Sequence, residues 1–277
     1  MPIKFPKIFY GWWVIAACFT IAVYTGGVVV YGFTAFFDPI IVEFGWTYAQ
    51  VSLAASLRGV ETGLVAPAMG FIVDRWGSRW LLMAGAILTG VGLILLSRVQ
   101  SLAAFYGAFI LVSCSMSCCG VSVITPVANH WFRRNLGKAM SILAAGFAMG
   151  GLMVPIVIQI INAFGWRDTL VILGIVCFVI CIPLTLIIKH KPEQYGYVQD
   201  GAPAPASAAD SAEGSPVKKR PEINIGVGQA LKSRTFWHLT MAFTLQYIIV
   251  GAILAHIMPF LNTVNIDRVH ASFFAGA

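Results

Sequence analysis

Gly70-Phe-Ile-Val-Asp74-Arg75-Trp-Gly77-Ser-Arg79-Trp-Leu-Leu82 sets three charges and a central glycine between two long, largely apolar runs. An α-helix needs roughly 20 predominantly apolar residues to cross about 30 Å of hydrocarbon. The runs on either side, Ala49–Val73 and Trp80–Ser97, meet that length, so the stretch reads as a short polar loop between two membrane-crossing helices. Working outward with the same ruler predicts seven spans: Gly11–Phe36, Ala49–Val73, Trp80–Ser97, Leu102–Ala128, Lys138–Phe164, Asp168–Ile188 and Thr235–Leu261. An eighth is expected to begin at Ala271. The last residues, Ser272 to Ala277, are still small or apolar and carry no charged or aromatic flank, which predicts a chain cut off soon after that span starts.

Composition agrees. Of 277 residues, 58% are hydrophobic and 10% charged, and the mean hydropathy is +0.83. That leaves too little polar surface to cover a water-soluble domain, so lipid is the expected solvent. The net charge of +7 does not point to nucleic acid, because the basic residues fall in short clusters between apolar runs. All six cysteines lie inside those runs, where they behave as small hydrophobes, and neither a disulfide framework nor a zinc site is expected. The first run is too long for a signal peptide. With no His-rich cluster, no G-x-S-x-G elbow and no Walker loop, neither a cofactor, a metal nor an enzymatic activity is expected.

The basic clusters predict orientation. With the N-terminus in the cytoplasm, 14 of the 18 Lys and Arg residues fall inside; Arg98, Arg167 and Arg268 fall outside, and Arg58 lies within a span. Residues 189–234 turn abruptly to Gly, Ala, Pro, Ser and charge, and read as a flexible cytoplasmic linker. The chain thus divides into a six-span half (1–188), that linker (189–234) and the beginning of a second half (235–277). Gly63-Leu-Val-Ala-Pro67 in the second span matches Gly151-Leu-Met-Val-Pro155 in the fifth, which runs the opposite way. Such a match is what an inverted three-plus-three repeat leaves behind, although small residues and proline are common in membrane helices generally.

The G-x-x-x-D-R-x-G-x-R pattern of Gly70, Asp74, Arg75, Gly77 and Arg79 resembles the signature loop of the major facilitator superfamily, and lies as there between the second and third spans. The resemblance implies an all-α integral membrane fold. Its first half is a six-helix bundle built as a 3+3 inverted repeat, followed here by the seventh span and the start of the eighth. It also implies that the loop clips the two halves together on the cytoplasmic side, with Gly70 allowing close helix approach, Gly77 a tight turn and Asp74 accepting bonds from Arg75, Arg79 or a helix N-terminus. Tyr10-Gly11-Trp12-Trp13, Phe36-Phe37-Asp38-Pro39, Glu43-Phe44-Gly45-Trp46 and Asn129-His130-Trp131-Phe132-Arg133-Arg134 look like the monocarboxylate-transporter and oxalate/formate-antiporter branch. One departure matters. Some animal members carry a substrate-handling lysine where this chain has Val30-Tyr31-Gly32-Phe33.

Several residues are candidates for chemistry or packing. Gly137, Gly146 and Gly150 resemble the opening of the superfamily's antiporter motif, but Gly151 replaces its proline and Pro155 comes later. Gly146 and Gly150 are therefore expected to make a small-xxx-small packing surface. Arg58 and Glu61 lie inside the second span, where an ionised group costs on the order of 2.5–3.5 kcal/mol on insertion scales. Three residues apart, they share a helix face and are read either as an intrahelical ion pair or as a site handling substrate or proton. Ser52, Ala55, Gly59 and Thr62 form a small stripe beside them, expected to face the bundle. Tyr247 and His256 in the seventh span are pore-lining candidates, His for its readiness to exchange protons. The expected function is alternating-access transport of a small organic anion, with a coupled proton as an optional partner, in a multi-pass cell-membrane protein that needs the rest of its second half. A solute of another class, such as a sugar or drug, and a non-transport membrane module are the rival readings.

Overall fold

The computed structural model describes residues 9–188, 199–200, 229 and 232–263, and of these the side chains of Pro67, Asp74 and residues 251–263 are outside the description. The described residues fall into two compact units: 9–188 with 199–200, and the part from residue 229 on. The eighth span expected at Ala271, and nearly all of the 189–234 linker, lie outside the described residues.

In the first unit each boundary has a local cause. The first span starts as α1 (Tyr10–Thr25), passes through a π-helical stretch (Gly26–Tyr31) and a 3-10 stretch (Gly32–Phe36), and continues as α2 (Phe37–Phe44). Gly45, left-handed at φ 64°, ends it. Helix α3 (Tyr48–Trp76) opens on a capping box: the Gln50 N–H donates to Thr47 Oγ1 at 3.3 Å and the Thr47 N–H to Gln50 Oε1 at 2.9 Å. After Gly77 comes α4 (Ser78–Ser97), then α5 (Leu102–Cys119), which the Ser101 hydroxyl caps at the Ala104 N–H. An extended Gly120 separates α5 from α6 (Val121–Trp131), so the fourth span is broken too. The fifth span joins α7 (Leu136–Met149), a 3-10 turn (Gly150–Met153) and the start of α8 (Val154–Ile187). Gly165, with φ 81° and ψ 164°, breaks α8 where the fifth span gives way to the sixth. In the second unit, α9 covers Arg234–Thr263.

Four described stretches are long and apolar enough to cross a membrane: Tyr10–Phe44, Ser78–Ser97, Leu102–Trp131 and Leu136–Ile187, the last being two spans because of Gly165. The expected seventh span is absent from that set, and so is the second. The helix of the second span is long enough, at 29 residues or about 44 Å, but Arg58, Glu61, Asp74 and Arg75 dilute its apolar character.

Packing inside the first unit has an internal symmetry. The first span packs on the fifth and sixth, the fourth on the second and third, and the third on the sixth. Exchanging spans one with four, two with five and three with six maps this neighbour pattern onto itself. The sequence offset that aligns Gly63 with Gly151 also aligns Gly77 with Gly165 and Arg79 with Arg167, and the two turn glycines share a conformation (φ 83°, ψ 152° against φ 81°, ψ 164°). Glycines set the closest crossings. A Cβ on Gly150 would lie 2.5 Å from Gly27 N, one on Gly146 2.9 Å from Phe19 Cδ2, and one on Gly174 2.9 Å from the Gly90 carbonyl. Between helices in lipid such close approach, and the dispersion contacts that come with it, replaces the missing hydrophobic drive. Hydroxyls add ties: Tyr24 donates to the Leu173 carbonyl, and Thr89 donates to Ser115 Oγ at 2.8 Å.

Candidate functional site

Arg58 and Glu61 do share a face of α3, but the ion pair expected between them is not formed. The one ion pair among the described residues is Arg167–Glu43. Instead Arg58 Nη1 donates to the Val29 carbonyl at 2.8 Å, reaching the π-helical stretch of the first span. Glu61 turns to the fourth span: the Ser117 hydroxyl donates to its two oxygens at 3.2 and 3.3 Å, and Thr62 Oγ1 lies at 3.5 Å. The geometric reason is that α3 lies beside two interrupted helices whose polar groups are within reach. Arg58 meets a carbonyl where the first span departs from α geometry. Glu61 meets a serine three residues before the Gly120 break. Interrupted helices lining a midplane site are the recurring architecture of secondary transporters.

The stripe beside the pair departs from expectation. Gly59 and Thr62 are exposed, and a Cβ on Gly59 would meet nothing within 4 Å, so within the first unit this face of α3 is open. Val60 and Leu64 are exposed on the same helix.

In the signature loop, Gly77 takes a positive-φ backbone (φ 83°, ψ 152°) that only glycine adopts readily, and its N–H closes α3 on the Val73 carbonyl at 2.8 Å. The close approach expected at Gly70 is not seen in the first unit: nothing lies within 4 Å of a Cβ placed there, because it too sits on the open part of α3. Arg75 is exposed and Arg79 half-buried; the Asp74 side chain lies outside the described residues. Gly146 and Gly150 pack against Phe19, Ala22 and the Gly26-Gly27 backbone of the first span, and half-buried Pro155 follows the 3-10 turn in the first turn of α8. Tyr247 and His256 lie on α9 in the second unit; Tyr247 is exposed there and the His256 side chain is outside the described residues.

Two clusters are not among the sequence-derived candidates. At the end of the bundle that carries the Gly165 turn, Arg167 donates through Nε and Nη2 to Glu43 Oε1 (3.1 and 2.8 Å), and through Nη1 and Nη2 to the carbonyls of Ser97 (2.6 Å) and Val99 (3.2 Å). Trp166 Nε1 donates to Glu43 Oε2 at 2.5 Å, and the guanidinium lies over the Trp166 and Phe44 rings. This clasp joins the ends of the first, third and sixth spans. Hydrogen bonds from Arg167 and then Trp166 hold the Glu43 carboxyl below its ordinary pKa. The sequence signal was one of the two acidic residues between the first and second spans, Glu43, and an Arg opening the sixth, but only folding brings them together. At the other end, Asp200 accepts from the Asn135 N–H (3.1 Å) and Nδ2 (2.7 Å) and donates its own N–H to the Trp131 carbonyl (3.1 Å). The expected flexible linker is thus pinned to the α6–α7 loop at this residue.

The family model described as Major Facilitator Superfamily matches residues 7–277. Monocarboxylate transporter 12 of Homo sapiens is 31% identical over 199 residues, covering 67% of this chain and 37% of its own length. The oxalate:formate antiporter of Oxalobacter formigenes is 25% identical over 217 residues, 78% of this chain and 47% of its own. An uncharacterized MFS-type transporter, YcxA of Bacillus subtilis, is 26% identical over 88% of this chain and 56% of its own. The chain therefore spans about half the length of these curated relatives or less. Among solved structures, a bacterial homolog of the human lysosomal transporter Spinster, crystallised in an inward-facing and unoccupied conformation, superposes with a TM-score of 0.65 at 16% identity, over 98% of this chain and 59% of that one.

Proposed function

This chain belongs to the major facilitator superfamily, and from that premise we propose that it supplies the first half of a secondary transporter that moves a small mono- or dicarboxylate across a cell membrane by alternating access. The observation that carries the anion reading is Arg58, a guanidinium inside a span, part-buried, with a single neutral acceptor on the first span. A cation kept at that depth earns its place by meeting an anion or a polar cavity. Similarity to the monocarboxylate and oxalate:formate transporters supports the same class. Glu61, held by Ser117, is the group assigned to a coupled proton, and the N-terminus and linker are assigned to the cytoplasm. A second six-span half completes the pathway, and rocking of the halves about the midplane site exposes it to each side in turn.

The test is uptake into proteoliposomes by the protein carrying both halves. Oxalate, formate or lactate should be taken up in a saturable way, and sucrose should neither enter nor compete. Uptake of sucrose with indifference to all three acids would sink the anion reading. Asp74→Asn in the signature loop is expected to slow transport while leaving binding largely intact, since the loop is proposed to hold the gate and not the solute. Equal loss of both would contradict that role.

A further inference from the structure

Where the first span passes Arg58 it is not an α-helix. Between Gly26 and Tyr31 it is π-helical, the Gly32 N–H closing on the Gly27 carbonyl five residues back, and the next turn tightens to 3-10. A π stretch holds one residue more than α geometry needs, and such insertions recur at functional sites. Val29 lies inside this stretch, buried, and its carbonyl takes the Arg58 hydrogen bond. A guanidinium has five N–H donors. Among the described residues the Val29 carbonyl is the sole acceptor that Arg58 has, which leaves the edge formed by Nε and Nη2 unengaged. That edge has the fork geometry that matches a carboxylate with two parallel hydrogen bonds. Glu61 does not compete for it, because the Ser117 hydroxyl of α5 donates to both oxygens of its carboxylate. Opposite charges three residues apart on α3 are thus tied to two different interrupted helices.

We propose that Arg58 is a ligand-operated clip: a carboxylate taken up by its free edge draws the guanidinium off the Val29 carbonyl and releases the π-helical stretch Gly26–Tyr31. This rests on the anion reading above. The guanidinium is ionised in both bonds, but a carboxylate offers two parallel acceptors and an opposite charge where the Val29 carbonyl offers one neutral oxygen, so the ligand sets the position of the guanidinium. The buried Val29 carbonyl then needs a new donor, and the chain supplies one if the stretch re-registers from π toward α. One residue of register turns the remainder of the span by about 100° around the helix axis. Phe33 lies just beyond and packs on Phe109 of α5 at 4.4 Å between ring centroids, so occupancy at Arg58 reaches the fourth span as well as the first.

The experiment is hydrogen–deuterium exchange on the two-half protein in lipid nanodiscs, with and without oxalate, using sucrose as control. Oxalate should change exchange across residues 26–34 by at least about threefold while α4 stays unchanged. Arg58→Lys keeps the charge but lacks the fork, and should bind oxalate about tenfold more weakly and lose the response at 26–34. Wild type that binds oxalate with no change at 26–34 overturns the clip and leaves the anion reading standing. So does Arg58→Lys with unaltered affinity and response. Wild type that binds none of oxalate, formate or lactate overturns both. Should the lysine variant fail to insert, the wild-type comparison decides alone.

Discussion

A Cβ on Gly150 would sit 2.5 Å from the backbone nitrogen of Gly27 and 2.8 Å from the carbonyl carbon of Gly26, and backbone atoms have no rotamer through which to yield. Gly150→Val is therefore expected to destabilise by at least the 1–3 kcal/mol, approximately, typical of overpacking, read as loss of folded protein in thermal-shift and expression assays. Gly59→Ala, where the added methyl meets nothing in the first unit, should leave folding unchanged in the same assays. Glu43 makes a different case. Its carboxyl pKa is held below the ordinary value of about 4.3, first by the hydrogen bond from Arg167 and next by that from Trp166. The clasp's contribution is thus present in full above the unfolded pKa and fades as the pH falls through the lower folded one. Both partners are well exposed, 35% for Arg167 and 43% for Glu43, so screening keeps the ion pair's share at about 1 kcal/mol or less. Glu43→Gln should lower the melting temperature slightly at pH 7 and flatten its decline toward pH 3; an unchanged acid limb would show that other carboxyls govern it.

At the scale of elements, Gly77 and Gly165 are the same device used twice. Each joins two spans in a backbone region, φ near 80° with ψ of 152° and 164°, that is essentially reserved for glycine. Alanine at either position should cost about 1–3 kcal/mol, and the two costs should be alike; Gly45, in the ordinary left-handed well at φ 64° and ψ 21°, should accept asparagine with much less loss. Melting curves of the three variants check the ranking, and a mild Gly165→Ala would break the equivalence. The repeat behind this equivalence is only partly legible in the sequence. Gly63 to Pro67 against Gly151 to Pro155 shows five aligned positions, whereas the conformational match of Gly77 and Gly165 needs backbone angles. The interruptions at Gly26–Phe36 and Gly120 are illegible for a related reason. Apolar runs read as continuous helices, and hydropathy carries no information on whether a turn closes at four residues or five.

For the whole molecule, the 14-to-3 distribution of Lys and Arg is the ground on which we propose an N-terminus and linker on the cytoplasmic side. Reporter fusions after Glu43 and after Asp210 should report opposite sides of the membrane, and agreement between them would overturn the topology. The composition and the signature loop were enough to specify a multi-pass helical bundle of this superfamily, because lipid forbids unsatisfied backbone and so reduces the choice of spanning structure to helices whose length and flanks are written in linear order. The position of Arg58 and Glu61 inside the second span was legible in the same way, as charges inside an apolar run. Their partners were not. Spacing suggested that they neutralise each other, whereas the fold sends Arg58 to Val29 and Glu61 to Ser117. Tertiary structure alone decides this, because a hydrogen bond is won by whichever acceptor the packing brings within about 3 Å, and residues 29 or 56 positions apart meet only after the helices have assembled.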